Sequence, residues 1–157
     1  MPERTRGYAH RVNVNAPLEL VWRGLTEPEL LTLWCGPGAR VSARAAGNFY
    51  VRMNGDMERE ALIDVFDPGR RLRLIYLPPP DAPEDEAVIV DDFILDTEQG
   101  VAVLRLLGSG FPLEERWEPI FVRLRAGWGL ALARLKVCME QIASGKEPGQ
   151  MKLPGTR

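Results

Sequence analysis

Hydrophobic and polar positions change their period several times along this 157-residue chain. "YAHRVNVNAP" (residues 8–17) alternates, with His10, Val12 and Val14 on one face and Arg11 and Asn13 on the other; this is the period-two pattern of a strand, and Pro17 ends it. The spacing then turns helical, with Leu18, Val21, Trp22 and Leu25 along one side of a short helix that opens on Pro17. Thr26 is placed to cap a second short helix carrying Pro28 in its first turn, and Gly36-Pro37-Gly38 breaks that helix just after Trp34-Cys35.

Between residues 39 and 108 the pattern is strand after strand. "ARVSARA" leads to "NFYVRM", where Phe49, Val51 and Met53 oppose Tyr50 and Arg52, and Asn54-Gly55 then signals a hairpin. "EREALIDVF" and "RRLRLIYL" form an antiparallel pair around Asp67-Pro68-Gly69, the second setting Leu72, Leu74 and Tyr76 against Arg71, Arg73 and Ile75. "PPPDAPEDE" (78–86) cannot join the middle of a sheet and reads as an exposed loop. "AVIVDDFILDT" and "VAVLRLLGSGF" follow, joined through Glu98-Gln99-Gly100. From about residue 115 to 144 the period becomes helical again: Trp117, Phe121, Leu124, Trp128, Leu132, Leu135, Met139 and Ile142 form one stripe on a helix of roughly 40 Å.

This order predicts an α+β helix-grip domain. A curved antiparallel sheet of six to seven strands wraps a long C-terminal helix, with two short helices after the first strand. The domain is expected over residues 8–145, flanked by flexible termini at 1–7 and 146–157. Twenty basic against 22 acidic residues give a net charge of -2, too little positive field for nucleic acid or an anionic membrane. Without a leader-like start or an apolar run near the roughly 20 residues that cross a bilayer, the expectation is a soluble cytoplasmic protein with no membrane insertion. Two distant cysteines and one histidine do not make a metal site or a disulfide framework, and no phosphate-binding glycine loop is present, so no cofactor is expected.

"APLELVWRGLTEPELLTLWCGP" resembles the hallmark of the family named for activators of the heat-shock protein 90 ATPase, in which Ala-Pro, Val-Trp, Leu-Thr-x-Pro and a Trp followed by Gly-Pro recur in order. "AAGNFYVRM" is similar to its Gly-Gly-x-Phe strand start with Ala46 in place of the first glycine, and "VFDPGRRLRLIY" carries Gly69 where a second proline is frequent. "LGSGF" (107–111) and "GWGLALARL" (127–135) resemble its Ser-Gly-Phe strand end and Gly-Trp helix. The family is grouped with lipid-transfer START domains, the major birch-pollen allergen and aromatic polyketide cyclases. That resemblance implies a single domain with a cavity between sheet and long helix, often for an apolar small molecule.

Candidate chemistry is sparse. Cys35 follows the C-terminal end of a predicted helix, without the helix N-terminus, cation or base that lowers a thiol pKa, and reads as an inert packing residue. His10 reads as a structural histidine, since no Gly-x-Ser-x-Gly supplies a nucleophile for it. Glu58 and Glu60 share a strand face and are expected to be solvated or paired with arginines of the neighbouring strand. If Phe93 and Leu95 face the core, parity turns Asp91 inward as well; the plainer expectation is a solvated carboxylate at the strand's start. The ligand-binding set expected from the fold is Trp34, Phe49, Met53, Tyr76, Phe93, Trp128 and Leu132, with Trp22 and Leu135 nearby. Three functions follow: binding of a small apolar molecule without catalysis, which is favoured; a cyclase- or hydrolase-type enzyme using Asp91 or Tyr76; and a chaperone-linked or homodimeric interaction module.

Overall fold

The computed structural model describes residues 4–78 and 87–146. Residues 79–86 of the expected proline-rich loop, and residues 1–3 and 147–157 of the expected flexible termini, lie outside the described residues. The chain runs β1 (Thr5–Val14), α1 (Leu18–Thr26), α2 (Pro28–Trp34), β2 (Arg40–Val41), β3 (Asn48–Met53), β4 (Met57–Asp67), β5 (Arg71–Tyr76), β6 (Val90–Glu98) and β7 (Val101–Pro112). A single 3-10 turn, Glu115–Trp117, then leads into the long helix α3, Glu118–Ala143.

All seven strands pair antiparallel in the order β1-β7-β6-β5-β4-β3-β2. β3 to β7 form a meander, and β1 closes on its far edge. The turn chemistry is legible in the backbone. Asn54-Gly55 and Gln99-Gly100 both hold positive φ at two successive residues, as a tight turn matched to strand twist requires. Irregularities at Arg6/Tyr8 and Ile63/Val65 break the register and bend the sheet. β1 begins at Thr5, earlier than the alternation showed, because Thr5 and Arg6 pair with Pro112 and Phe111. The piece read as "ARVSARA" contributes only the two residues of β2.

One face of the sheet and one stripe of α3 make the core. Phe49, Val51, Ile63, Leu72, Leu74, Phe93, Leu104 and Leu106 meet Leu124, Trp128, Leu135 and Met139, all buried. The outer face is a lattice of ion pairs, among them a two-pronged Arg71–Asp92 contact at 2.7 and 2.9 Å and Arg105–Glu98 at 2.7 Å. Such exposed pairs are worth only about 0–1 kcal/mol each, so burial dominates stability. Glu58 lies on this face with Arg52 of β3, as its pattern suggested.

α1 and α2 form a corner at one end of the grip. Thr26 does not cap α2: it is still helical, and its hydroxyl donates to the Trp22 carbonyl at 3.0 Å, the usual alternative for a threonine inside a helix. Glu27 stands at the cap position without a capping side-chain bond, its carboxylate accepting instead from Arg23 Nε at 3.0 Å. The corner is held instead by the Trp34 indole N–H, which donates to the Gly24 carbonyl at 2.8 Å. Asn54 locks this end further. Its backbone N–H donates to the Cys35 carbonyl at 2.8 Å, its side-chain amide donates to the Gly127 carbonyl at 3.1 Å, and its side-chain oxygen accepts from Arg134 at 3.2 Å. Gly127 leaves room for that approach, since a Cβ there would lie 3.3 Å from the Asn54 amide nitrogen and 2.6 Å from the Met57 methyl. Trp34→Phe keeps an aromatic ring, though a smaller one, and removes the indole donor from a buried site. It is expected to cost about 1–3 kcal/mol in urea unfolding; a loss below about 0.3 kcal/mol would show that the corner does not depend on this bond.

Candidate functional site

The core carries one row of polar side chains, and register explains it. Leu74 of β5 lies opposite Asp91 of β6, Asp91 opposite Gly108 of β7, and Gly108 opposite Tyr8 of β1. With no side chain at Gly108, the Tyr8 ring lies across that position, so close that a Cβ there would be 2.3 Å from it. The Tyr8 hydroxyl thereby reaches over β7 and donates to Asp91 Oδ1 at 2.6 Å. From the other side, Ala61 of β4 faces Tyr76 of β5, and Arg59, two residues earlier on the same face, stacks its guanidinium 3.7 Å from the centre of the Tyr76 ring. Trp128 of α3 covers the row, edge-on to Phe93 with ring centres 5.4 Å apart.

Asp91 is therefore fully buried, which corrects the expectation of a solvated carboxylate at the strand's start. The strand begins at Val90, and parity with Phe93 and Leu95 carries Asp91 inward beneath α3. Burial raises its pKa, while the charge of Arg59 and the donors of Tyr8, Tyr76 and Trp128 pull it back. Tyr76 Oη and Trp128 Nε1 approach the carboxyl without closing a hydrogen bond: both atoms, and Asp91 Oδ2, are buried with no partner among the described residues. Burial and then the Asp91 charge hold Tyr8 and Tyr76 well above the ordinary phenol range, so both remain hydrogen-bond donors. Burial pushes the Cys35 thiol up to about 12 and that of Cys138 to about 11, leaving neither poised as a nucleophile. His10 shares the inner face of β1 beside Tyr8, ring centres 5.6 Å apart, and its Nε2 is buried without a partner among the described residues.

A narrow cavity opens beside Arg59 and Tyr76, at the end of the grip opposite the α1–α2 corner. Leu77, Ile89, Phe111, Trp117, Ile120 and Leu124 line much of the rest. Its volume is about 10 Å³, near the smallest that holds one water. Of the seven residues expected to bind a ligand, Tyr76 lines this cavity. Trp34, Phe49, Met53, Phe93, Trp128 and Leu132 are packed within the core, and Trp22 lies half-buried against Phe66, ring centres 5.4 Å apart. Arg59 and Tyr8 escaped the sequence reading. The available signal was parity: Arg59 shares a face with Ala61 and Ile63, and Tyr8 with Val12 and Val14, but a cation amid apolar neighbours does not announce which face turns inward. Among the described residues no three of His, Cys, Asp and Glu converge as metal ligands.

A carboxyl with a raised folded pKa binds its proton more tightly folded than unfolded. Its contribution to stability is thus complete below the unfolded value of about 4 and is lost as pH rises through the raised value. Urea unfolding of the wild type and Asp91→Asn from about pH 4 to pH 8 is expected to show the wild type losing stability relative to the variant as pH rises. A pH-independent difference would contradict a titrating carboxyl at this position.

The match to known proteins is one of family and fold. The solved structure of protein MLL2253 from Mesorhizobium loti is 18% identical, with 87% of this chain and 98% of that chain covered at a TM-score of 0.75. The Aha1 dimer from Colwellia psychrerythraea is 18% identical, with 86% and 96% covered at 0.72. CalU16 from Micromonospora echinospora is 23% identical, with 82% and 72% covered at 0.63. At these identities the solved structures show a shared fold alone, and no curated protein matches the chain. The model of the family described as activator of Hsp90 ATPase homolog 1-like protein matches residues 15–140, most of the chain and all of the elements from α1 to the last turns of α3. The helix-grip chain described here belongs to that family.

Proposed function

We propose that this protein binds a small, largely apolar molecule in the cavity between the β5–β6 ends and the first turns of α3, without transforming it. The observation that carries this reading is the character of the cavity and its rim. The walls formed by described residues are almost entirely apolar, and Leu77 and Val88 beside the cavity are 57% and 59% exposed, the two most exposed large apolar side chains among the described residues. A space of about 10 Å³ is too small for an organic guest, so entry widens the cavity. The walls that must give are the Leu77–Pro78 strand end and the α3 segment from Trp117 to Leu124.

An enzyme of the cyclase or hydrolase type is a second reading, supported by the buried Asp91 carboxyl with its raised pKa and the hydroxyl donors around it. It differs from binding in one requirement: the guest must be turned over, and Asp91→Asn must abolish turnover while leaving capture intact. Among the described residues no helix is long and apolar enough to cross a membrane, and a cytoplasmic site of action is part of the proposal. Self-association is proposed as well, because the Colwellia relative was solved as a dimer. Light scattering after size exclusion is expected to give twice the 17.6 kDa chain mass, and a single-chain mass at micromolar protein would remove it.

Thermal-shift and native mass spectrometry screening against fatty acyl, aromatic and polyketide-like compounds is expected to yield ligands that raise the unfolding temperature. A guest at 100 times its Kd adds about 2.7 kcal/mol of stability. Ala87→Trp plugs the mouth from a partly exposed position, and is expected to weaken every such guest about tenfold or more while shifting the free protein's unfolding temperature little. A guest that stabilises wild type and variant equally binds elsewhere.

A further inference from the structure

We propose that the guest is an acid: an apolar molecule with a single anionic oxygen head, a carboxylate or phenolate, that docks on Arg59 with the Tyr76 hydroxyl as a second donor. The inference rests on the binding reading above and names the chemistry the same cavity recognises. Among the described residues that line the cavity, Arg59 is the one charged side chain, and it is only 5% exposed. Its guanidinium face is covered by the Tyr76 ring at 3.7 Å, which leaves only in-plane N–H groups to bind a guest. Of these, Nη1 is the one buried with no hydrogen-bond partner among the described residues, and so is Tyr76 Oη. A strong buried donor without an acceptor on a cavity wall specifies an acceptor, and a buried cation specifies a negatively charged one; the Tyr76 hydroxyl, which approaches Asp91 without closing a bond, is available to the same acceptor.

Asp91 does not already fill this role. Its Oδ1 accepts from Tyr8 at 2.6 Å, it is not among the cavity-lining residues, and no ion pair between Asp91 and Arg59 closes within 4.0 Å among the described residues. The two are near enough for the charge of Arg59 to act on Asp91, without an ion pair between them. The same nearby carboxyl disfavours a head with two charges, so a monoanion is accepted ahead of a phosphate monoester. A planar carboxylate also matches the fork of a guanidinium, and the apolar lining from Phe111, Ile120 and Leu124 suits an aryl or acyl body rather than a sugar.

The test uses matched probes on the full chain: decanoate with methyl decanoate and decylamine, and 2-naphthoate with methyl 2-naphthoate, measured by isothermal titration at neutral pH. For the wild type, each acid is expected to bind about tenfold or more tightly than its ester, and decylamine more weakly than either. Arg59→Met is expected to erase that preference while leaving ester affinity within about threefold; Arg59→Lys, which keeps the charge and loses the fork, restores part of it. Ala87→Trp is expected to weaken acids and esters together, which locates both in the cavity. Esters binding as tightly as acids, decylamine matching decanoate, or an unchanged acid affinity in Arg59→Met overturns the anionic head and leaves apolar binding standing. Failure of every probe on the wild type overturns the binding reading itself. Should Arg59→Met not fold, the wild-type comparison of acid, ester and amine decides alone.

Discussion

A carboxyl sits where the sheet is most enclosed, and much of the inner face is arranged around it. Asp91 lies near the start of β6, between Leu74 on β5 and Gly108 on β7, and under Trp128 of α3. Burying such a group without partners costs several kcal/mol. The structure meets part of that cost with the Tyr8 hydroxyl and part with the field of Arg59, and both depend on features far apart in sequence. Tyr8 reaches Asp91 only because residue 108 has no side chain, and Arg59 is near only because β4 turns Ala61, Ile63 and Arg59 inward together. The polar row is thus a joint property of β1, β4, β5, β6 and β7.

The two ends of the grip differ in physical character. At the α1–α2 corner the core is dry and tied: the Trp34 indole to Gly24, Asn54 to Gly127 and Cys35, and large side chains such as Phe49 and Met53 with no exposed surface to speak of. At the other end Leu77 and Val88 are exposed, and the cavity reaches Arg59 and Tyr76. Membership in the family accounts for the scaffold and does not by itself assign a function to the few side chains of the open end.

Much of the scaffold was legible from residues alone. The period-two runs, the Asn54-Gly55 turn, the Asp67-Pro68-Gly69 turn and the stripe from Trp117 to Ile142 are local signals with local causes, and each became the element its period predicted. Local reading failed where two local roles competed. Thr26 had the chemistry of a cap but stands inside the helix, where its hydroxyl turns back to Trp22. Asp91 read as a strand-end carboxylate, though parity with Phe93 and Leu95 carried it inward.

The sequence by itself determined which elements form, their order, the alternation within each strand and the family corner around "LTEPELLTLWCGPG", because these depend on spacing, turn residues and hydrophobic period within short windows. Tertiary structure alone decided which alternating face of β4 looks inward and which aromatic residues fill space rather than line it. It also decided that Tyr8, Arg59, Tyr76, Asp91 and Trp128 share one buried row. Parity leaves two faces equivalent until a register across several strands, and a helix laid over one side, breaks the symmetry.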